Sequence, residues 1–197
     1  MLSFFRKFRK GYNNNKPGTD SDAIFSLSSA YITLETKLGL KSTGRCALSL
    51  KSVDGMHFTE MKADIQRFLN ICKSDVELSN RMVVDSYGYL WVILDGKSMG
   101  DILAGISAVG DTIQEKGFTN QLLVAIFEFN YKEKPNNGYS IQYLVYNYKF
   151  NKFYPFVPFG QKTRNSENEM KIMATIVDEV PFEKDMTLWY PLWDLPF

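Results

Sequence analysis

Residues 143–158, YLVYNYKFNKFYPFVP, form the densest run of aromatic and β-branched residues in this 197-residue chain. Side chains of that kind fit a pleated, half-buried surface. The run predicts one strand up to Tyr148 and a second from Phe153 to Val157. Between them Lys149, Phe150, Asn151 and Lys152 make a short connection, in which Asn151 best tolerates the positive φ that a three- or four-residue hairpin loop requires. The expectation is an aromatic hairpin that needs a surface to pack against.

Upstream of the hairpin, residues 121–130 (QLLVAIFEFN) read as a strand, and sequentially adjacent strands usually pair, so 121–130, 140–148 and 153–157 predict an antiparallel meander. The helix to cover it is residues 98–116. Ser98 and Asp101 form an acidic capping box, Met99, Ile102, Leu103, Ile106, Val109 and Ile113 trace a stripe, and Gly117 stops the helix. Gly100, Gly105 and Gly110 inside it each cost about 1 kcal/mol relative to Ala, which predicts close approach to a sheet. Further upstream, residues 87–94 (YGYLWVIL) read as a strand covered on both faces, and 77–84 and 43–53 as further strands. Apolar residues at three- and four-residue steps predict helices over 22–38, with Asp22 as N-cap, and over 58–73. Downstream, 159–168 reads as an exposed loop and 167–180 as a last helix with Met170, Ile172, Met173, Ile176 and Val177 inward. The final residues, WYPLWDLPF, have no periodicity and suggest a strap received by the hairpin edge, with Trp189, Tyr190 and Trp193 as strap or interaction aromatics. Together these predict a single α+β domain over 22–197, an antiparallel sheet of five or six strands with helices packed chiefly on one face.

Length and a 45% hydrophobic content allow one well-buried core without disulfides or metals. Cys46 and Cys72 are far apart and in no CxxC spacing, which favours two thiols of a reduced, cytoplasmic protein over a disulfide or redox pair. No apolar run approaches the roughly 18 residues of a membrane span, and no signal-peptide pattern is present. The formal charge of +1 is unevenly spread: four of the 23 basic residues and none of the 22 acids lie in residues 1–10, which leaves 19 against 22 in the remainder. A faintly acidic body lacks the basic face that a nucleic acid partner demands.

Residues 1–10, MLSFFRKFRK, are amphipathic if helical. Leu2, Phe4, Phe5 and Phe8 fall on one side with Met1, and Arg6, Lys7 and Lys10 lie opposite, with Arg9 at the border. Residues 11–21, rich in Gly, Asn and Pro, read as a flexible linker. An apolar face on a tether meets an anionic membrane surface, a partner, or nothing. Each buried Leu or Phe contributes about 1.5–3 kcal/mol and each Lys or Arg near an anionic leaflet about 1 kcal/mol. Partial immersion and helix ordering reduce that to weak, reversible attachment.

Catalytic signals are sparse. His57, the sole histidine, reads as a surface residue at a helix entry. Asp85, Asp95, Asp101 and Asp111 surround the best strand and helix, and paired carboxylates can do acid–base work, yet turn and cap roles account for Asp95 and Asp101. No Walker loop, GxGxxG or GxSxG occurs. No catalytic, cofactor-binding or metal-ligating residue is therefore expected. Residues 152–159 (KFYPFVPF) approach the RNP1 pattern of RNA-recognition domains, but Phe153 and Pro155 stand where that motif wants small residues, and proline is a poor member of its central strand.

Residues 34–45 (LETKLGLKSTGR), 85–94 (DSYGYLWVIL), 111–129, the hairpin and the closing WYPLWDLPF together resemble the PspA-associated protein B family, found beside the phage-shock protein A of prokaryotic envelope-stress systems. That family's hairpin turn typically carries Gly where this chain has Asn151. The resemblance implies association with a PspA-like coiled-coil, membrane-remodelling protein, no established enzymatic activity, and no catalytic residue to carry over. The resulting expectation is a non-enzymatic cytoplasmic adaptor or regulator, peripheral on the inner face of the cell membrane through residues 1–10. The helix–strand order is also similar to that of type III secretion chaperones, so a protein-binding module with an exposed apolar groove, used as a homodimer, stays open. So does an enzyme with a carboxylate of perturbed pKa in a deep polar pocket.

Overall fold

The computed structural model describes residues 20–76, 78–132 and 139–197. The basic segment 1–10 and residues 11–19 of the expected linker lie outside the described residues. The chain runs α1 (Asp20–Thr33, continued by a π-helical turn Leu34–Leu38), β1 (Leu40–Lys51), α2 (Met56–Val76), β2 (Ser79–Val84), β3 (Tyr89–Asp95), α3 (Met99–Glu115), β4 (Leu122–Lys132), β5 (Tyr139–Asn147), β6 (Lys152–Phe156), a small ribbon of β7 (Pro158–Phe159) and β8 (Thr163–Arg164), and α4 (Ser166–Ile176).

Six strands make one antiparallel sheet in the order β2-β3-β1-β4-β5-β6, which agrees with the expected α+β class. β1 lies at its centre between β3 and β4, so residues on both of its faces are buried: Cys46, Leu48 and Leu50 toward the helices, Ala47 and Ser49 away from them. That two-sided burial explains why its alternation in the sequence was weak. A register shift between Ser42 and Cys46 bulges the strand at Gly44, whose φ is 80°. A Cβ there would sit 2.1 Å from the Gly96 carbonyl oxygen, so the bulge admits only glycine.

The α3 stripe packs chiefly on β1 and β3, and reaches the expected meander only at β4 and Tyr148. A Cβ at Gly105 would lie 3.0 Å from Leu94 Cδ1 and 2.8 Å from Leu78 Cδ2, and one at Gly110 3.1 Å from Tyr148 Oη. Close approach therefore accounts for two of the three helix glycines; at Gly100 nothing comes nearer than 3.7 Å. The capping box at Ser98 is formed, with Asp101 Oδ2 accepting from the Ser98 amide at 3.1 Å. The hairpin closes as expected, through Asn151 at φ 54°.

Several boundaries differ from the expectation. Asp20 and Ser21, read as linker, are helical, so Asp22 lies in the first turn of α1 instead of capping it. Tyr87 and Gly88 belong to the β2–β3 turn, held by Asp85. Residues 159–168 contain the second strand of the β7–β8 ribbon, and α4 spans only Ser166–Ile176 with Asn165 as its cap. Along α4 Ile172 and Ile176 point inward as expected, but they are joined by Glu169, 2% exposed, while Met170 points out. Helical periodicity could not foresee a carboxylate taking a core position.

The face of the sheet without helices would expose Ala47, Ile93, Ile126 and Val145, yet all four are fully buried. The C-terminal segment closes over it. The hairpin edge receives Pro181–Glu183 first: the Phe153 amide donates to Pro181 O at 2.7 Å and the Glu183 amide to Phe153 O at 2.8 Å. The chain then crosses the face, with Trp193 edge-on to Phe156, Phe197 stacked on Tyr143, Arg45 over the Phe197 ring, and Arg81 donating to Pro196 O. The strap is thus a second layer, and the edge accounts for only its beginning.

Candidate functional site

The aromatic hairpin, α3 and the start of α1 meet at one carboxylate. Asp20 accepts from Tyr146 Oη on β5 and from Gln114 Nε2 on α3, both at 2.8 Å. The Asn151 amide, oriented to donate, reaches Asp20 Oδ1 at 2.8 Å and the Tyr148 carbonyl at 2.6 Å. Asp20, the first described residue, is thus held by three separate elements, α3, β5 and the hairpin turn. The left-handed turn at Asn151 brings its side chain back toward α1, which explains locally why the hairpin serves the site.

Beside this clamp lies Asp111, one helical turn before Glu115. Burial, followed by repulsion from Glu115, Asp20 and Asp22, pushes its carboxyl up from 3.8 to about 6. Tyr148 completes the group: its hydroxyl is buried and has no hydrogen-bond partner among the described residues. Burial first, then the charges of Asp20 and Asp111, raise its phenol well above the ordinary value. The Tyr146 phenol is raised by burial and by its bond to Asp20. Chemically the cluster offers a carboxyl that changes charge near neutral pH next to a hydrogen-bonded joint.

The other acids singled out in the sequence are structural. Burial pushes the Asp85 carboxyl up, but hydrogen bonds from the Trp91 indole and the Tyr89 and Tyr87 amides outweigh it and hold it below the ordinary value. Asp95 pairs with Arg45 at 2.7 Å, and Asp101 caps α3. Asp111, whose carboxyl is raised, faces α1 instead of the β3 strand. His57 is exposed at the start of α2, 3.4 Å from Glu60. Among the described residues no group of three His, Cys, Asp or Glu side chains is placed to hold a metal ion, and no helix is long and apolar enough to cross a membrane.

The strap aromatics divide. Trp189 is buried, its indole donating to Glu183 O at 2.9 Å and its ring edge-on to Phe182, so it is a packing residue. Tyr190 is 49% exposed, with its carbonyl accepting from Tyr154 Oη. Trp193 lines an open recess of about 470 Å³ with Gly160, Gln161, Lys162 and Asp194. Leu2, Phe4, Phe5, Arg6, Lys7, Phe8, Arg9 and Lys10, the expected membrane or partner contacts, lie outside the described residues.

Sequence reasoning missed Asp20, Gln114, Glu169 and Arg164. Arg164 donates to Glu169 Oε1 at 2.8 Å, to Pro155 O at 3.1 Å and to Trp189 O at 2.5 Å, tying the ribbon, α4, β6 and the strap. Asp20 and Gln114 meet across more than ninety positions, and Arg164 and Glu169 join elements that are separate in the fold, so no helical or strand period marks them. The only available signal was a polar residue interrupting an apolar stripe, as Glu169 does.

The family model described as PspA associated protein B matches residues 3–197. No curated protein and no solved structure matches.

Proposed function

Because the chain belongs to the PspA associated protein B family, and its role is therefore linked to PspA systems of the stress response, we propose that it is a non-enzymatic adaptor or regulator of a PspA-type membrane-stress complex. In this reading the folded body carries the protein contacts, and residues 1–10 attach it weakly to the inner face of the membrane. The family match carries the reading. The arrangement around Asp20 fits that reading, because it fixes the point at which the preceding residues leave the body.

Cosedimentation with anionic vesicles, comparing the full chain with one starting at Gly11, tests attachment. The full chain is expected to pellet with the vesicles and the shortened chain to stay in solution; equal pelleting removes the membrane part. Affinity capture from native membranes tests the partner. Recovery of a PspA-like coiled-coil protein supports the adaptor, and its absence alongside a co-purifying small metabolite overturns it. One observation favours a second reading, an enzyme using Asp111: its carboxyl titrates near 6. That reading requires turnover which Asp111→Asn abolishes.

A further inference from the structure

The two edges of the sheet are treated in opposite ways. At β6 every outward backbone group is accounted for. Phe153 exchanges bonds with Pro181 and Glu183, Pro155 has no N–H and its carbonyl accepts from Arg164, and Val157 donates to Glu169 and accepts from the Asn165 amide. A proline and a covering segment are the devices that prevent edge-to-edge association.

At β2 neither device is present among the described residues. The Asp85 amide donates to Tyr89 O at 3.0 Å, which makes Asp85 and Tyr89 a hydrogen-bonded pair. Antiparallel ladders alternate, so Val83–Trp91, Arg81–Ile93 and Ser79–Asp95 are the bonded pairs, and the N–H and C=O of Asn80, Met82 and Val84 point outward. Among the described residues none of these six groups has a hydrogen-bond partner. The strand has one charged side chain, Arg81, and no proline or bulge, and Val84 is 58% exposed.

We propose that β2 is a dimerisation edge, pairing antiparallel with β2 of a second copy to make one continuous twelve-stranded sheet. A two-fold axis at Met82 satisfies the outward groups of Asn80, Met82 and Val84 in both copies. It sets Met82 opposite Met82 of the second copy, Asn80 opposite its Val84 and Arg81 opposite its Val83. No like charges are directly opposed in that register. Because β6 is closed, a second copy can extend the sheet only through its own β2, so the interface is isologous and association stops at two. A six-residue strand pair is small beside a standard interface, so dissociation near micromolar concentration is expected. The proposal does not depend on the membrane or PspA reading.

Sedimentation of the full chain from about 1 to 100 µM, with two variants, tests it. Met82→Pro deletes one outward N–H and leaves the bonded β2–β3 pairs intact. It is expected to fold, melting somewhat earlier because the Met82 side chain packs against the core, and to move the dimerisation midpoint at least tenfold higher. Met82→Cys places thiols on hydrogen-bonded partners whose Cα atoms are about 5.5 Å apart, within disulfide reach. Under copper–phenanthroline oxidation it is expected to give a covalent dimer, whereas Arg81→Cys and the parent chain give little. A monomer throughout the concentration range, an unchanged midpoint in Met82→Pro, or equal cross-linking at positions 81 and 82 would overturn the proposal.

Discussion

Replacing Asp111 by Asn is expected to stabilise the protein, and only above a certain pH. In the unfolded chain this carboxyl titrates near its ordinary 3.8, whereas in the fold burial, Glu115, Asp20 and Asp22 move it to about 6. A raised carboxyl means that the folded state holds the proton more tightly than the unfolded state does. The penalty is therefore absent below the unfolded value, grows as pH rises from about 4 to 6, and is complete above that. A shift of two units corresponds to about 3 kcal/mol at 1.36 kcal/mol per unit. Asp111 is only partly buried, and solvent screening reduces the figure to about 1–2 kcal/mol. Asn keeps the shape and removes the charge. At pH 8 Asp111→Asn should therefore raise the melting temperature by about 2–8 °C for a chain of this size, and the gain should shrink steadily below pH 6 and vanish near pH 4. Thermal and urea unfolding followed by circular dichroism across that range measure it. A variant less stable than the parent at pH 8, or a gain independent of pH, would refute the electrostatic account of the junction.

Glu169→Ala should cost about 3–5 kcal/mol, because it strands both the Arg164 guanidinium and the Val157 amide; denaturant unfolding reports it, and a loss under 1 kcal/mol contradicts the assigned role. Gly105→Ala and Gly100→Ala form a contrasting pair within α3. The first forces a Cβ to 2.8 Å from Leu78 and should destabilise by about 1–3 kcal/mol. The second meets nothing nearer than 3.7 Å and should gain up to about 1 kcal/mol from helix propensity. Equal effects at both sites would show that packing on the sheet does not decide the glycines.

Local patterns made much of this fold legible. The hairpin and its Asn151 turn, the capping box at Ser98 and the central apolar strands are set by neighbouring residues through φ preferences, pleat and capping, which act over a few positions. The misreadings share one cause. Met170 and Glu169 exchanged roles because Arg164 and the end of β6 supply the carboxylate with partners from outside the helix. The start of α1 was placed two residues late because Asp20 is held by Tyr146 and Gln114, each more than ninety positions away. Of the candidate site, Asp111 was visible as one acid among four; its carboxyl is raised first by burial, then by Glu115 one turn along α3 and by Asp20 and Asp22 of α1, and spacing along α3 records only Glu115.

From the residues alone came the α+β class, the family resemblance and the aromatic hairpin, all properties of composition and short-range periodicity. The tertiary structure decided which edge of the sheet is closed and which is open, where the strap lies, and which carboxylate titrates near neutrality. Those outcomes depend on backbone groups being satisfied or left outward and on charges brought together from distant segments. Hydrogen bonding and electrostatics act through space, so their result appears only once the strands have taken their order.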